Sequence, residues 1–349
     1  MNILFVALKY DYGKIERGES LEKRAFLPAI ILNSTKVETF WLEENGYPND
    51  IDGLQEKLIQ FSNKCNPRLI FFILMNNEIK KNTITSLSLK FKTLNWFCDD
   101  QWRFENFTKN IAPNFSLSVT VDKYSIPKYK SLNCKVILSQ WGTFYYNSNL
   151  KFEKKYLYDI SFVGSKNINR EWVVYELKKR GIDVKCFGSG WTNGKITFEE
   201  MSNIFFQSKI NLNLSNSISH DYRFYIFLFK SIFTIFINPL INNKKRISFL
   251  KDIKSLILSS KKLEQIKARN FEIPGCGGFQ LTSFALQLED YYVNGSEISI
   301  FSEINELEIL IKYFLNNNDH REQIAYNGYL RSERYTYNER IRELFNNLD

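Results

Sequence analysis

Apolar runs and polar breaks alternate along the chain with a short, regular spacing. The run NILFVAL (2–8) is followed by a Gly-bearing loop over 9–20, then by a helical pattern over 21–32. Further runs rich in β-branched and aromatic residues are KVETFWL, RLIFFILM, KTLNWFC, LSVTV and KVILSQW. Helical stretches fall between them at 51–63, 82–91, 103–110 and 123–132. Such alternation predicts βαβ units around a parallel sheet buried on both faces. After 141–156, read as a linker, the pattern restarts with strands YDISFVG, VKCFGSG, KINLNLS, FQLT and EISIF. Helices are predicted at 170–180, 198–207, 303–315, 320–331 and 338–346. The chain therefore reads as α/β with two similar domains, and ligands are expected at the carboxyl ends of strands.

One stretch breaks the pattern. Residues 217–262 contain YRFYIFLFKSIFTIFINPLI, in which 14 of 20 positions (222–241) are apolar. It reads either as an aromatic-rich helix lying in a membrane interface or as a helix pair buried on the second domain. A spanning helix is disfavoured, because Arg223 and Lys230 would each cost roughly 2.5–3.5 kcal/mol at mid-bilayer.

The 349 residues suit two domains of about 150–180 residues each. A net charge of +9 allows an anionic partner: a nucleoside diphosphate, an acidic membrane or a nucleic acid. Its one local cluster is Lys244, Lys245 and Arg246. Five scattered cysteines without a C-x-x-C pair argue for reduced thiols and a cytoplasmic setting. With two distant histidines, His220 and His320, no zinc site is expected. The N-terminus opens directly on a strand pattern, so no signal peptide is expected.

Four segments could carry chemistry. In KARNFEIPGCGGFQLT (267–282), Arg269 and Glu272 share a face of a helix that the run Pro274-Gly275-Cys276-Gly277-Gly278 is expected to end. A nucleoside diphosphate site needs a cation for the diphosphate and a carboxylate for ribose hydroxyls; Arg269 or Lys267 and Glu272 supply both. Gly277 and Gly278 would let backbone approach the ligand. The alternative is a solvated Arg–Glu pair. In VGSKNINR, Gly164 and Ser165 end a strand before a helix and could present N–H groups to an anion, or form a plain turn. Gly188 and Trp191 could hold a base, or a turn with a buried Trp. After strand TLNWFC, Asp99 or Asp100 could act as a base or fix an acceptor, or could cap the next helix. The first loop, with Tyr10, Gly13 and Gly18, could reach an acceptor or phosphate, or be a mobile surface loop.

Taken together, LKYDYG with RGES, NWFCDDQWRFEN, SFVGSKNINR, VKCFGSGW, SKINLNLSNS, KARNFEIPGCGGF and AYNGYLRSERYTYNERI resemble the CgeB-like (spore maturation protein B-like) group 1 glycosyltransferases. The resemblance runs over nearly the whole chain. It implies a GT-B fold, two Rossmann-like domains facing across a cleft. The acceptor side would be 1–145 and the donor side 157–335, with 217–262 as an insertion and 336–349 a helix packing back on the first domain. It implies transfer from a UDP- or GDP-linked sugar to a cell-surface glycan or lipid-linked acceptor, retaining and without a cofactor. A D-x-D metal motif is read as missing, which favours metal-independent transfer. Gly164, Ser165, Gly188, Trp191, Lys267, Arg269, Glu272, Gly277 and Gly278 would bind donor. Arg269, Asp99 and Asp100 are the catalytic candidates. Glu264 matches a family glutamate in its eight-residue spacing to Glu272 alone. The insertion departs from the family pattern. It leaves open contact between 222–246 and an anionic membrane, and with it a peripheral place at the inner face of the cell membrane. Nucleic acid is a disfavoured partner. The alternatives are a DNA-modifying glucosyltransferase and a non-catalytic sugar-nucleotide or glycan-binding module.

Overall fold

The computed structural model describes residues 1–214, 220–238, 241–258 and 264–348. They form two compact units, one of 1–144 with 334–349 and one of 145–333.

In the first unit six parallel strands are β1 (Asn2–Ala7), β2 (Lys36–Trp41), β3 (Leu69–Ile73), β4 (Lys92–Phe97), β5 (Leu117–Thr120) and β6 (Val136–Leu138). Their order is β2-β1-β3-β4-β5-β6. Helices α1 (Leu27–Leu32), α2 (Ile51–Cys65), α3 (Lys81–Ser88), α4 (Asp100–Arg103), α5 (Lys109–Ile111) and α6 (Ile126–Ser131) connect them. Every residue of β3 is buried, which is why LIFFI shows no polar alternation. The stretch read as a helix over 21–32 opens as a π-helix, Glu22–Phe26, before α1.

In the second unit five parallel strands are β7 (Tyr158–Val163), β8 (Lys185–Phe187), β9 (Ser208–Asn213), β10 (Gln280–Ser283) and β11 (Ser299–Phe301), ordered β11-β10-β9-β7-β8. Its helices are α7 (Ile168–Lys179), α8 (Phe198–Phe206), α9 (Tyr222–Ile237), α10 (Asn243–Leu258), α11 (Arg269–Gly275), α12 (Ile304–Asn316) and α13 (Asn318–Ser332). Asn167 caps α7 by accepting the Arg170 N–H, and Thr197 with Glu200 forms a capping box on α8. Pro274 lies inside α11, which runs on to Gly275. The helix ends within the 274–278 run, as expected: the turn comes at Gly277, whose φ of 76° suits glycine.

The last helix, α14 (Tyr337–Asn346), belongs to the first unit. Tyr337 packs on Phe26 with ring centroids 4.9 Å apart, and Thr143 exchanges backbone hydrogen bonds with Tyr335 and Tyr337. Gly142 makes this approach possible, since a Cβ there would lie 2.7 Å from the Tyr335 carbonyl oxygen.

Candidate functional site

Both sheets place the first strand beside the second and the third, so the order in which strands are added reverses at β1/β3 and at β7/β9. Loops diverge at such points and leave a crevice at the strands' carboxyl ends.

In the second unit this crevice lies beyond β7 and β9, and one side chain spans it. The Arg170 Nε donates to the carbonyl of Leu214, just past β9, at 3.0 Å. Its Nη1 donates to the carbonyl of Ser165, just past β7, at 2.8 Å. The side chain also lies over the Phe162 ring. Burial, the repelling charge of Arg269 and the opposing attraction of Glu264 together bring the Arg170 pKa down to about 10. Arg170, Arg269 and Glu264 therefore share one electrostatic neighbourhood. The neighbourhood thus holds two guanidinium groups with Glu264 and Glu272 as acidic counterparts, Arg269 being paired with Glu272 at 2.6 Å. Sequence reasoning missed Arg170, although it closes the quoted VGSKNINR. The signal was its place three residues after the cap Asn167, in the first turn of α7.

Arg269 begins α11 and Glu272 follows one turn later. The Nη1–Oε2 distance is 2.6 Å. Glu272 is 4 % exposed, and burial raises its pKa while Arg269 pulls it back. This is a buried, charge-assisted pair and not the solvated surface pair that the spacing alone allowed. Lys267 precedes α11 and is half-buried; its backbone N–H is held by Asn270.

The glycines serve packing. Gly277 and Gly278 lie beyond the far end of α11 from Arg269. A Cβ on Gly278 would meet the Phe205 carbonyl and the Asn211 amide at 2.8 Å each; one on Gly277 would meet Leu150 and Phe152 at 3.0 Å. They let the turn into β10 pack against its own unit, which accounts for glycine at both positions. Gly188 likewise serves packing: its φ is 122°, and a Cβ would lie 2.3 Å from the Gly164 carbonyl. Trp191 donates its indole N–H to that carbonyl at 2.9 Å and meets Phe162 edge-on. It braces the β7 turn. The Gly164 N–H is spent on the Phe187 carbonyl at 2.9 Å and is not free for an anion; of the pair Ser165 alone is exposed, beside Arg170.

In the first unit the two aspartates after β4 separate sharply. Asp100 is 1 % exposed, and its carboxylate accepts from Thr108 (2.7 Å), Thr120 (2.5 Å) and Tyr129 (2.7 Å). Burial raises its pKa while those hydroxyls oppose the rise. Asp100 is a structural buckle joining α4 to β5 and α6, so it is withdrawn as an acceptor base. Asp99 is half-buried at the mouth of the same strand. Its charge and that of Arg103 both reach the Tyr12 hydroxyl in the first loop, and Arg103 donates to Asn76 beyond β3 at 3.2 Å.

The first loop is ordered. Glu43 accepts the backbone N–H groups of Lys9 and Tyr10, and Asp11 N–H donates to the Gly18 carbonyl. Gly13 (φ 70°) packs beside Leu8 and Tyr47, whereas Gly18 (φ 87°) has open space around it. The reading that no D-x-D motif is present is corrected: the sequence has one such triplet, at Asp50-Ile51-Asp52. Asp50 caps α2 through the Gly53 N–H, and Asp52 pairs with Lys80. The Lys244 and Lys245 side chains lie outside the described residues.

Residues 239–346 match the model of a family described as glycosyl transferase-like. No curated protein matches the chain. Among solved structures, the chain is similar to a glycosyltransferase from Rickettsia africae, at 12% identity, covering 99% of this chain and 97% of that one with a TM-score of 0.58. It is similar to the sucrose-phosphate synthase of Thermosynechococcus elongatus, at 12% identity over 99% and 98%, TM-score 0.57. It is also similar to the Anabaena protein HepE, solved in complex with UDP, at 13% identity over all of both chains, TM-score 0.53. The fold is thus GT-B, two Rossmann-like α/β units.

Proposed function

We propose that this chain is a glycosyltransferase that takes its sugar from a nucleoside diphosphate donor, UDP- or GDP-linked, held in the second unit. The observation that carries this reading is the Arg170–Arg269–Glu272 group at the β7/β9 crevice. It offers two cations for a diphosphate and a buried carboxylate for ribose hydroxyls. HepE was solved with UDP and with UDP-glucose, which favours uridine. The glycosyl transferase-like match covers α11 and its surroundings.

In this reading the bond between the sugar's anomeric carbon and the diphosphate oxygen breaks as the acceptor oxygen bonds to that carbon. Arg170 and Arg269 stabilise the charge gathering on the diphosphate, and its oxygen takes the acceptor proton. Transfer is retaining and needs neither a metal nor a protein base. Asp99 and Arg103 orient the acceptor, a cell-surface glycan precursor or lipid-linked intermediate at the inner face of the cell membrane. Membership of the CgeB-like set of group 1 enzymes is part of this reading, supported by the resemblance of the motifs.

Thermal unfolding with UDP, GDP, ADP and CMP tests the donor site. At least one diphosphate should stabilise the wild type, by about 2.7 kcal/mol at a hundredfold excess over Kd. Arg269→Ala and Arg170→Ala should each lose most of that effect. If no nucleotide stabilises the wild type, the donor assignment is wrong.

A further inference from the structure

The helix α9 is apolar on two opposite faces, and only one of them is used. Phe224 and Phe227 are buried in the second unit's core, with Leu228 packed against it. On the other side Tyr225, Ile226, Phe229, Phe233, Phe236 and Ile237 are all exposed, Phe229 by 70% and Phe233 by 58%. At about 100° per residue these six fall within an arc of roughly 120°. Arg223 and Lys230 border one edge of that arc, and no acidic residue lies within the helix. The partner helix α10 repeats the arrangement. Phe249, Ile253 and Leu256 pack inward, while Ile247, Leu250 and Ile257 are exposed among Lys251 and Lys254, with Asp252 the single acid of the helix. Arg246 ties the two helices together by donating to the carbonyls of Ile235 and Asn238 at 3.2 Å each, at the carboxyl end of α9.

A soluble surface rarely leaves an aromatic stripe of this extent in water. The stripe is too short to be a span: α9 has 16 residues, about 24 Å, against a hydrocarbon core of about 30 Å. Among the described residues no helix is long and apolar enough to cross a membrane. Its aromatic content and its cationic border match a helix lying in the plane of a headgroup layer. Arg223 is paired with the capping Asp221, and Lys230, Lys251 and Lys254 outnumber the remaining acid, Asp252, so the complementary layer is anionic.

We infer that the α9–α10 pair is a docking surface for an anionic lipid bilayer, with the Phe229 and Phe233 face entering the acyl boundary and Lys230, Lys251 and Lys254 meeting phosphate headgroups. This deepens the reading of a membrane-borne acceptor, on which it rests for its biological sense but not for its test.

The test is flotation of the full chain with phosphatidylcholine vesicles, with and without phosphatidylglycerol, beside sizing of the protein alone. The wild type should float with the anionic vesicles, and less so as salt rises. Phe229→Glu with Phe233→Glu should abolish flotation at an unchanged Tm, because both side chains are exposed. Lys230→Glu and Lys251→Glu should each weaken it at least about fivefold. The proposal is overturned if the wild type stays at the bottom with anionic vesicles, or if the double glutamate variant floats equally. It is also overturned if the wild type is a dimer that the variant splits, with neither bound to lipid; the face then belongs to a second copy. Flotation needs no turnover, so a chain that floats but binds no nucleotide would sink the donor reading alone.

Discussion

At the scale of single residues, Asp99 and Asp100 show how one peptide bond can divide structure from chemistry. Asp100 turns inward and takes three hydroxyl hydrogen bonds, while Asp99 stays at the crevice mouth. Hydrogen bonds to a buried carboxylate contribute about 1.5–3 kcal/mol each. Asp100→Asn keeps the shape but loses the charge and sets an amide against one hydroxyl. It should lower unfolding stability by about 2–3 kcal/mol in urea melts and leave turnover per folded molecule near the wild type. Asp99→Asn should do the reverse: stability within about 0.5 kcal/mol, and an acceptor KM raised about tenfold, which corresponds to about 1.4 kcal/mol of lost binding. Equal effects of the two changes would remove the distinction. Arg170 makes the same point from the other side. Its role comes from reaching two strand ends at once, and those ends are 49 residues apart in sequence (Ser165 and Leu214).

At the scale of elements, the turn between α11 and β10 is held by a lysine from the segment joining the two units' sequences. Lys154 is 3 % exposed; its Nζ donates to the Gly277 carbonyl at 2.5 Å and lies 3.7 Å from Glu322. Burial brings its pKa from 10.5 down to about 8, with Glu322 opposing and Arg321 assisting. Between about pH 8 and 10.5 the unfolded chain holds the extra proton, so stability rises with pH across that window. Below about pH 8 the lysine is charged in both states and the cost of burying it is borne in full. Relative to Lys154→Met, the wild type should gain up to about 3 kcal/mol between those limits, at about 1.4 kcal/mol per pH unit. Parallel pH profiles for the two proteins would refute this. The strands of the described residues were legible from sequence, the central ones such as β1 and β3 because parallel strands buried on both faces are near-continuous apolar runs. The turn chemistry was not. GCGG looks the same whether its glycines admit a ligand or a neighbouring carbonyl, and only the position of Phe205 and Asn211 decides. The same holds for α9, where Phe227 and Phe229 are alike in sequence and opposite in burial.

At the scale of the whole molecule, the chain leaves its first unit near residue 144 and returns to it near 334. The returning piece is more than a tail. Tyr337, Ile341 and Leu344 are each at most 2% exposed, and α14 packs on α1. Asn338 receives a side-chain hydrogen bond from Asn33 at 2.7 Å, and the Arg340 Nε donates to the Trp141 carbonyl. Burying three such side chains contributes about 4 kcal/mol or more, at about 1.5–3 kcal/mol each. That is a large share of the roughly 5–15 kcal/mol by which a domain is stable. A chain ending at Glu333 should therefore lose its first unit selectively. Hydrogen exchange reads this strand by strand, since core amides open only with their own cooperative unit. The amides of β3 and β4 should lose most of their protection, while those of β9 and β10, whose described core cluster runs from Ile160 to Ala325, keep theirs. Nucleotide stabilisation of the second unit should survive the truncation, because Arg170, Arg269 and Glu272 all lie within 145–333. Protection retained in β3 and β4 would mean that the first unit closes its core without α14. Protection lost in both sheets together would mean that the two units unfold as one.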